Sequence, residues 1–273
     1  MSGPKRAVPT KKGRYYTDPQ DVLKRYVSVT NVIDTINKPA LVGWAARTVA
    51  EQAVNDLVLV TKLSRTDKAA AVAYLKGTPY AEKDAAAHLG SRIHAIAEGH
   101  ELGHDMPELA DDEQQMVRQY LAFRDDWQPT YEATEATVCN RTHGYAGTLD
   151  GLLRFTHSPL PKAGGALVVG DYKTGRTGPY AEWGLQLAAY AHAEALWLPD
   201  DSEIPMPTVH GGVVIRIRPD SYGVYELDPT ALPVLLDVFT HLLHVTRWLH
   251  NDLQQGCFSE RLIPTSSTAA EVA

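Results

Sequence analysis

The chain has 273 residues, 44% of them hydrophobic, an ordinary globular share that leaves room for one large core or two small ones. Its two cysteines, Cys139 and Cys257, are too few and too far apart for a disulfide scaffold and suit a reducing, cytoplasmic setting; no run approaches the roughly 18 apolar residues of a membrane span, and the N-terminus lacks the apolar stretch of a signal peptide. The formal charge of −7 splits into +5 over residues 1–14 and −12 over the remainder, an acidic body that is not the usual profile of a nucleic-acid binder.

Residues 1–19 read as a flexible basic arm. Lys5, Arg6, Lys11, Lys12 and Arg14 could add phosphate contacts there. The arm shows no apolar face, so its removal is expected to leave folding intact. From Thr30 the chain turns helical, with Val32, Ile33 and Ile36 forming one short amphipathic turn stopped near Pro39. Residues 40–62 read as a longer helix, and residues 67–75 as another, ended by Gly77 and Pro79. Residues 81–102 form a further helix, with Ala85, Leu89, Ile93, Ile96 and Ala97 on one apolar face. His94 and Glu98, four residues apart, share a different face. Asp111 or Asp112 caps a helix that runs to about Trp127, before Pro129. Residues 20–130 are therefore expected to be a helical lobe.

The period then changes. Residues 132–139, 144–155 and 166–173 read as strands, with a hairpin turn at 140–143 and a loop at 158–165. Residues 179–197 read as a helix. Residues 208–218 alternate as a strand, with Val213, Ile215 and Ile217 on one side and Arg216 and Arg218 on the other, where the arginines could contact a phosphate backbone. Residues 222–227 are its short partner, and residues 229–253 a long amphipathic helix. Residues 131–256 are thus expected to be a mixed α/β core. The tail over 257–273, rich in Ser, Thr and Ala, is expected to be disordered.

Two apolar runs carry aspartates at their ends. Gly147-Thr-Leu-Asp150 opens one, and Gly170-Asp-Tyr-Lys-Thr-Gly175 closes the other. On a strand, Asp171 and Lys173 project to the same face, two residues apart. If the two strands are neighbours, Asp150 joins them. Carboxylate oxygens suit a hard cation such as magnesium or manganese, and an adjacent ammonium can position or deprotonate a water. That is equipment for metal-assisted phosphodiester hydrolysis. Asp-x-Lys alone is a common string, so the reading depends on what accompanies it.

In chain order the sequence presents G-x-x-x-H-x-x-x-E (Gly90, His94, Glu98), E-x-x-V (Glu135, Val138), G-x-x-D (Gly147, Asp150), D-Y-K-T-G (Asp171 to Gly175) and Q-x-x-x-Y (Gln186, Tyr190). This order resembles the RecB-type branch of the PD-(D/E)XK nuclease superfamily. That branch includes the nuclease domain of RecB, the CRISPR-associated exonucleases similar to it, the mitochondrial genome maintenance exonuclease and many phage exonucleases. The resemblance covers roughly residues 28–195, and the stretches 28–33 and 37–44 look especially like the phage members.

The resemblance implies a restriction-endonuclease-like mixed sheet flanked by helices. It implies a DNA exonuclease dependent on Mg2+ or Mn2+, acting at DNA ends or on single strands in recombination, repair or replication. A recombination or replication protein is a candidate partner. His94, Asp150, Asp171 and the carbonyl of Tyr172 would be metal ligands, and Lys173 the catalytic lysine. Gln186 and Tyr190 would support the lysine or the nucleic acid. Glu98 and Glu135 match acidic positions of less constant role. Arg92 and Arg176 join Arg216 and Arg218 as expected nucleic-acid contacts. Two departures stand out. Asp-x-Lys replaces the frequent Glu-x-Lys, and two cysteines cannot build the four-cysteine iron–sulfur cluster that some members hold.

One competing motif is His100-Glu101-Leu-Gly-His104, which matches the H-E-x-x-H zinc-protease signature. Gly99 and Gly103 weaken the helix it needs, and Pro107 and Ala110 stand where the extended motif places its glycine and third histidine. A nuclease-fold protein that binds DNA without cutting it is the remaining alternative.

Overall fold

The structure, a computed structural model, describes residues 6–198 and 201–250. Its architecture is α/β: one ten-stranded, mixed and largely antiparallel sheet flanked by helices. Among the described residues no helix is long and apolar enough to cross a membrane.

The chain opens with β1 (Ala7–Thr10), β2 (Gly13–Thr17) and β3 (Arg25–Ser28), which lead into α1 (Val29–Ile33). The expected flexible arm is therefore, from Ala7 onward, a sheet edge. Two tyrosines explain it. Tyr16 and Tyr26 are both buried, in a cluster with Cys139, Ala146 and Trp197. The Asn31 side chain brackets the Arg14 backbone, accepting from its N–H at 3.1 Å and donating to its carbonyl at 2.8 Å. The basic residues also have work to do. Arg6 pairs with Asp201 at 2.5 Å, and the Lys12 ammonium meets the carbonyl of His250. Removing residues 1–14 would delete β1 and open β2, so the expectation that the arm is dispensable for folding is corrected.

The helical lobe comprises α2 (Pro39–Asn55), α3 (Leu57–Thr66), α4 (Lys68–Glu101) and α5 (Asp111–Trp127). The single helix expected over 40–62 breaks at Asp56, whose carboxylate accepts from Gln52 Nε2 at 2.6 Å and from the Tyr74 hydroxyl. The two helices expected over 67–75 and 81–102 are instead one helix of 34 residues, about 50 Å long. Asp67 caps it by accepting from Ala70 N at 3.0 Å. The helix runs through Pro79, at a cost of roughly 3 kcal/mol, and α2 and α3 both pack against it.

The rest of the chain forms β4 (Thr130–Asn140), β5 (Tyr145–Arg154), β6 (Val168–Lys173), α6 (Ala181–Ala191), β7 (Ala195–Trp197), β8 (Glu203–Pro205), β9 (Gly212–Ile217), β10 (Tyr222–Leu227) and α7 (Leu232–His250). The helix expected through Trp197 stops at Ala191. The next residues become β7, which pairs with Thr137–Cys139 of β4. A 3-10 turn at Pro229–Ala231 precedes α7. The expected tail, and the end of the expected core beyond His250, lie outside the described residues.

Strand β5 organises the sheet. One edge pairs along its length with β4. Its other edge is shared: β3 takes Tyr145 and Ala146, and β6 takes Gly151 to Leu153. Between them, residues 147–150 face a gap. Strand β6 leaves β5 after Gly170 but keeps its parallel pairing with β9 through Lys173. The G-x-x-D and D-Y-K strings therefore meet in a fork. One apolar layer, which includes Val169, Leu187, Val214 and Phe239, lies under α1, α6 and α7. The other, which includes Ile93, Tyr120, Val168 and Ile215, lies under α4 and α5.

Candidate active site

The fork gathers residues from three strands and two helices. Register places Glu135 opposite Asp150, since Thr134 pairs with Gly151 and Ala136 with Leu149. One step past the Gly151–Gly170 pair, Asp150 comes opposite Asp171. The Asp150 side chain spans the split between the strands: its Oδ2 accepts from Tyr172 N at 2.6 Å. Its Oδ1 lies 3.3 Å from His94 Nδ1, which reaches in from α4. Helix α4 comes this close because of Gly90, where a Cβ would stand 2.8 Å from the hydroxyl of Thr174.

One ligand atom each from His94, Glu135 and Asp150 lies within 4.8 Å of the other two. Among the described residues this is the group of His, Cys, Asp and Glu side chains arranged to hold a metal ion. Two carboxylates and one imidazole are a donor set that magnesium or manganese accepts, and the set alone does not select among divalent metals.

Asp171, expected as a ligand, has other partners. Its Oδ2 is ion-paired with the Lys173 ammonium, and its Oδ1 accepts from Gln186 Nε2 at 2.7 Å. Gln186 Oε1 in turn accepts from Lys173 Nζ at 3.0 Å. The aspartate, lysine and glutamine thus close a ring beside the metal group. Tyr190 sits one turn along α6, its hydroxyl 3.5 Å from Gln186 Nε2. Its ring occupies the space over Gly147, where a Cβ would stand 2.6 Å from the ring. Gly147 is therefore required by close approach, which links the G-x-x-D string to the Q-x-x-x-Y string. What Tyr172 visibly contributes is its N–H. Its ring turns to the α4–α5 side, edge-on to His94 and Tyr120.

The electrostatics follow from crowding. Burial works against the His94 imidazolium, but the charge and hydrogen bond of Asp150, helped by Asp171 and Glu135, push its pKa up to about 9. Burial and then the Asp150 charge push Glu135 up to about 8, against the pull of His94. Burial raises Asp171 to about 6 although Lys173 opposes it. Asp150 alone is lowered: burial would raise it, and the His94 charge and hydrogen bond outweigh that. In the absence of a cation the cluster therefore retains protons near neutral pH.

Glu135 is the residue that the sequence weighted too lightly. Its backbone is left-handed, with φ of 45° in the middle of β4, just after a register shift between Tyr131 and Ala133. A non-glycine residue at that φ inside a strand is strained and worth a functional explanation. Glu98, one turn beyond His94, is close enough for its charge to help raise Glu135 but is outside the metal group.

The arginines divide. Arg92 Nε is ion-paired with Glu113 at 2.7 Å and ties α4 to α5. Arg216 donates to the carbonyls of Gly178 and Arg176, both at 2.9 Å, and Arg218 also donates to Arg176. Arg176 itself is exposed.

The H-E-x-x-H string does not form a helical metal face. Helix α4 ends at Glu101, and Gly103 has a φ of 75°. His104 is therefore off the helix that carries His100. His100 Nδ1 lies 3.0 Å from the Tyr120 hydroxyl, and Glu101 pairs with Arg124 at 2.7 Å.

No family model and no curated protein matches this sequence. Among solved structures, a chain described as "Crystal structure of SSO0001" aligns with 51% of this chain at 19% identity and a TM-score of 0.28. The alignment spans 59% of that neighbour's own length. A likeness of that size carries no argument about fold or chemistry.

Proposed function

We propose that this protein is a metal-dependent nuclease of the RecB-like, PD-(D/E)XK type, which hydrolyses DNA phosphodiester bonds at ends or on single strands. The supporting observation is the fork between β5 and β6. There a three-residue metal group stands beside a lysine held by an aspartate and a glutamine.

His94, Glu135 and Asp150 would hold the ion. A bound Mg2+ or Mn2+ would supply Lewis-acid polarisation of the phosphate and a lowered pKa for water. The protein's own contribution centres on Lys173. An ammonium has three donors. Asp171 and Gln186 engage two, which leaves one for the attacking water or a phosphate oxygen. Held in that way, the charge counters what develops on the phosphate as it is attacked, without reorganising at that moment. Asp171 keeps the lysine in place, and Gln186 fixes both.

The test is single-turnover cleavage of labelled linear DNA by wild type and Lys173→Ala, with metal titration and thermal melting of both. Lys173→Ala should stay folded, keep metal affinity, and lose about 10²–10⁴-fold in rate, the usual range for general acid–base or charge-stabilising groups. Cleavage by the variant at the wild-type rate, or full wild-type activity in excess chelator, would overturn the proposal.

A further inference from the structure

We infer that the far end of the β9–β10 hairpin is a binding subsite for one unpaired strand of nucleic acid, with a phosphate on Arg218 and Arg216 and a base on the ring of Tyr225. This deepens the nuclease reading and rests on it for the identity of the ligand. Three observations carry it.

The first is position. Strand β9 runs parallel to β6, with Arg216 in register with Lys173 and therefore on the same face. Strand β10 runs antiparallel to β9, with Gly223 in register with Arg216. Lys173, Arg216 and Gly223 form a row across three adjacent strands, each step about 4.7–4.9 Å. A strand with its scissile phosphate at Lys173 would pass its next units over this row towards the sheet edge.

The second is charge. The two guanidiniums meet backbone carbonyls of the loop after Lys173, which orient them without neutralising them. Among the described residues the nearest carboxylate to Arg218 is that of Asp220, 3.9 Å away and largely in solvent, and none pairs with Arg216. Arg216 Nε is buried and has no hydrogen-bond partner. These groups line a cavity of about 260 Å³, together with Asp220, Ser221, Tyr222, Gly223 and Tyr225. Guanidiniums fixed by backbone carbonyls, with a single exposed carboxylate at 3.9 Å from one of them and hydroxyls beside them, are a site for a phosphate-like anion.

The third is the aromatic ring. Tyr225 is 37% exposed, and its ring lies across Gly223, where a Cβ would come within 3.0 Å of it. The ring thus stands next to Arg216 in a place a side chain would otherwise fill. An exposed aromatic beside cations is how single strands are held: bases stack on the ring and phosphates track the charge. Paired bases are already stacked in their duplex and gain nothing from the ring, so the subsite should prefer an unpaired strand.

The experiment measures binding in chelator, so that nothing is cut, by anisotropy of a fluorescent single-stranded oligonucleotide and of the same sequence as a duplex. Tyr225→Ala should weaken single-strand binding about 10-fold or more, the usual worth of one stacked base. It should leave duplex binding unmoved and the protein folded at the assay temperature, with only a modest fall in melting temperature from the lost packing over Gly223. Tyr225→Phe, which keeps the ring, should bind like wild type. Arg218→Ala should lower the salt slope for the single strand by about 0.7, one phosphate's share. Unchanged single-strand binding in Tyr225→Ala, or equal loss for single strand and duplex, would overturn the subsite. The outcome is separable from the nuclease proposal, because Lys173→Ala reports on cleavage and these variants report on binding alone.

Discussion

His94 and His100 lie on the same helix, six residues apart, and each belongs to a string that sequence reasoning can attach to a metal. Their surroundings differ. His94 faces the fork and meets Asp150 and Glu135. His100 faces α5 and meets the Tyr120 hydroxyl, beside a glutamate already paired with Arg124. The H-E-x-x-H string is the more specific motif on paper, yet it is local and needs a helix that persists for another turn. Gly103 ends that helix. The His94 string is looser, but its partners come from strands distant in sequence. A metal site depends on what converges on a side chain more than on its immediate neighbours in the chain.

The sharpest way to break this comparison is to remove each imidazole in turn. His94→Ala should lose metal affinity by well over the roughly 10–100-fold that removal of a mere supporting residue costs, and lose the proposed nuclease turnover with it. His100→Ala should keep both, and lose at most about 0.5–1.5 kcal/mol of stability with the Tyr120 contact. Isothermal titration with manganese and a linear-DNA cleavage assay read the two effects. If His100→Ala abolished metal binding while His94→Ala did not, the assignment of the two histidines would be reversed.

A second, smaller effect separates the two regions by pH. His94, Glu135 and Asp171 all have folded-state values raised above their usual ones, to about 9, 8 and 6. A raised value means that the folded state binds protons more tightly than the unfolded chain. The associated stability is fully present at low pH and lost as pH rises through the folded value. The metal-free protein should therefore lose melting temperature progressively from about pH 4, where the carboxylates of the unfolded chain titrate, to about pH 9. Metal binding should release protons and tighten over the same range. A divalent cation should thus offset much of the alkaline loss. Melting curves at several pH values, with and without manganese, check it; a metal-free protein as stable at pH 9 as at pH 6 would show that the cluster is less crowded than its geometry indicates.

Much of the site was legible because strand and helix periods fix side-chain faces. Asp171 and Lys173 share a face by period two, and Gln186 and Tyr190 share one by a helical turn. Both expectations hold here, in the Asp171–Lys173 ion pair and the Gln186–Tyr190 contact. The strands around Asp150 and the β9–β10 hairpin were also readable from alternation. What was not legible depends on partners. Strands β1 and β2 are short and joined through Lys11, Lys12 and Gly13, and only burial of Tyr16 in a cluster with Trp197 and Cys139 shows them to be sheet. Strand β7 is three residues long, too short to show a period, and exists because β4 offers it an edge. Helix α4 crosses Gly77 and Pro79 because α2 and α3 pack along it. The weight of Glu135 depends on register and a left-handed backbone, neither of which leaves a local sequence signal.

That backbone supplies the smallest and most specific prediction. A non-glycine residue in the left-handed region costs about 1–2 kcal/mol, whereas glycine enters it freely but loses about 0.5–1 kcal/mol more chain entropy on folding. Glu135→Gly should therefore stabilise the metal-free protein by up to about 1 kcal/mol, or about 2–4 °C in melting temperature. The carboxylate also leaves with that substitution, so Glu135→Ala is the control: it removes the charge but keeps the Cβ. The difference between the two variants reads the strain less the extra chain entropy that glycine loses. Both should bind manganese more weakly than wild type, because both lack one of the three proposed ligands. A Glu135→Gly protein that is less stable than Glu135→Ala would mean that the left-handed turn in β4 holds less strain than the roughly 0.5–1 kcal/mol of entropy that glycine costs. A variant that is more stable but binds metal less well would show that β4 accepts a strained residue in order to place a carboxylate against Asp150.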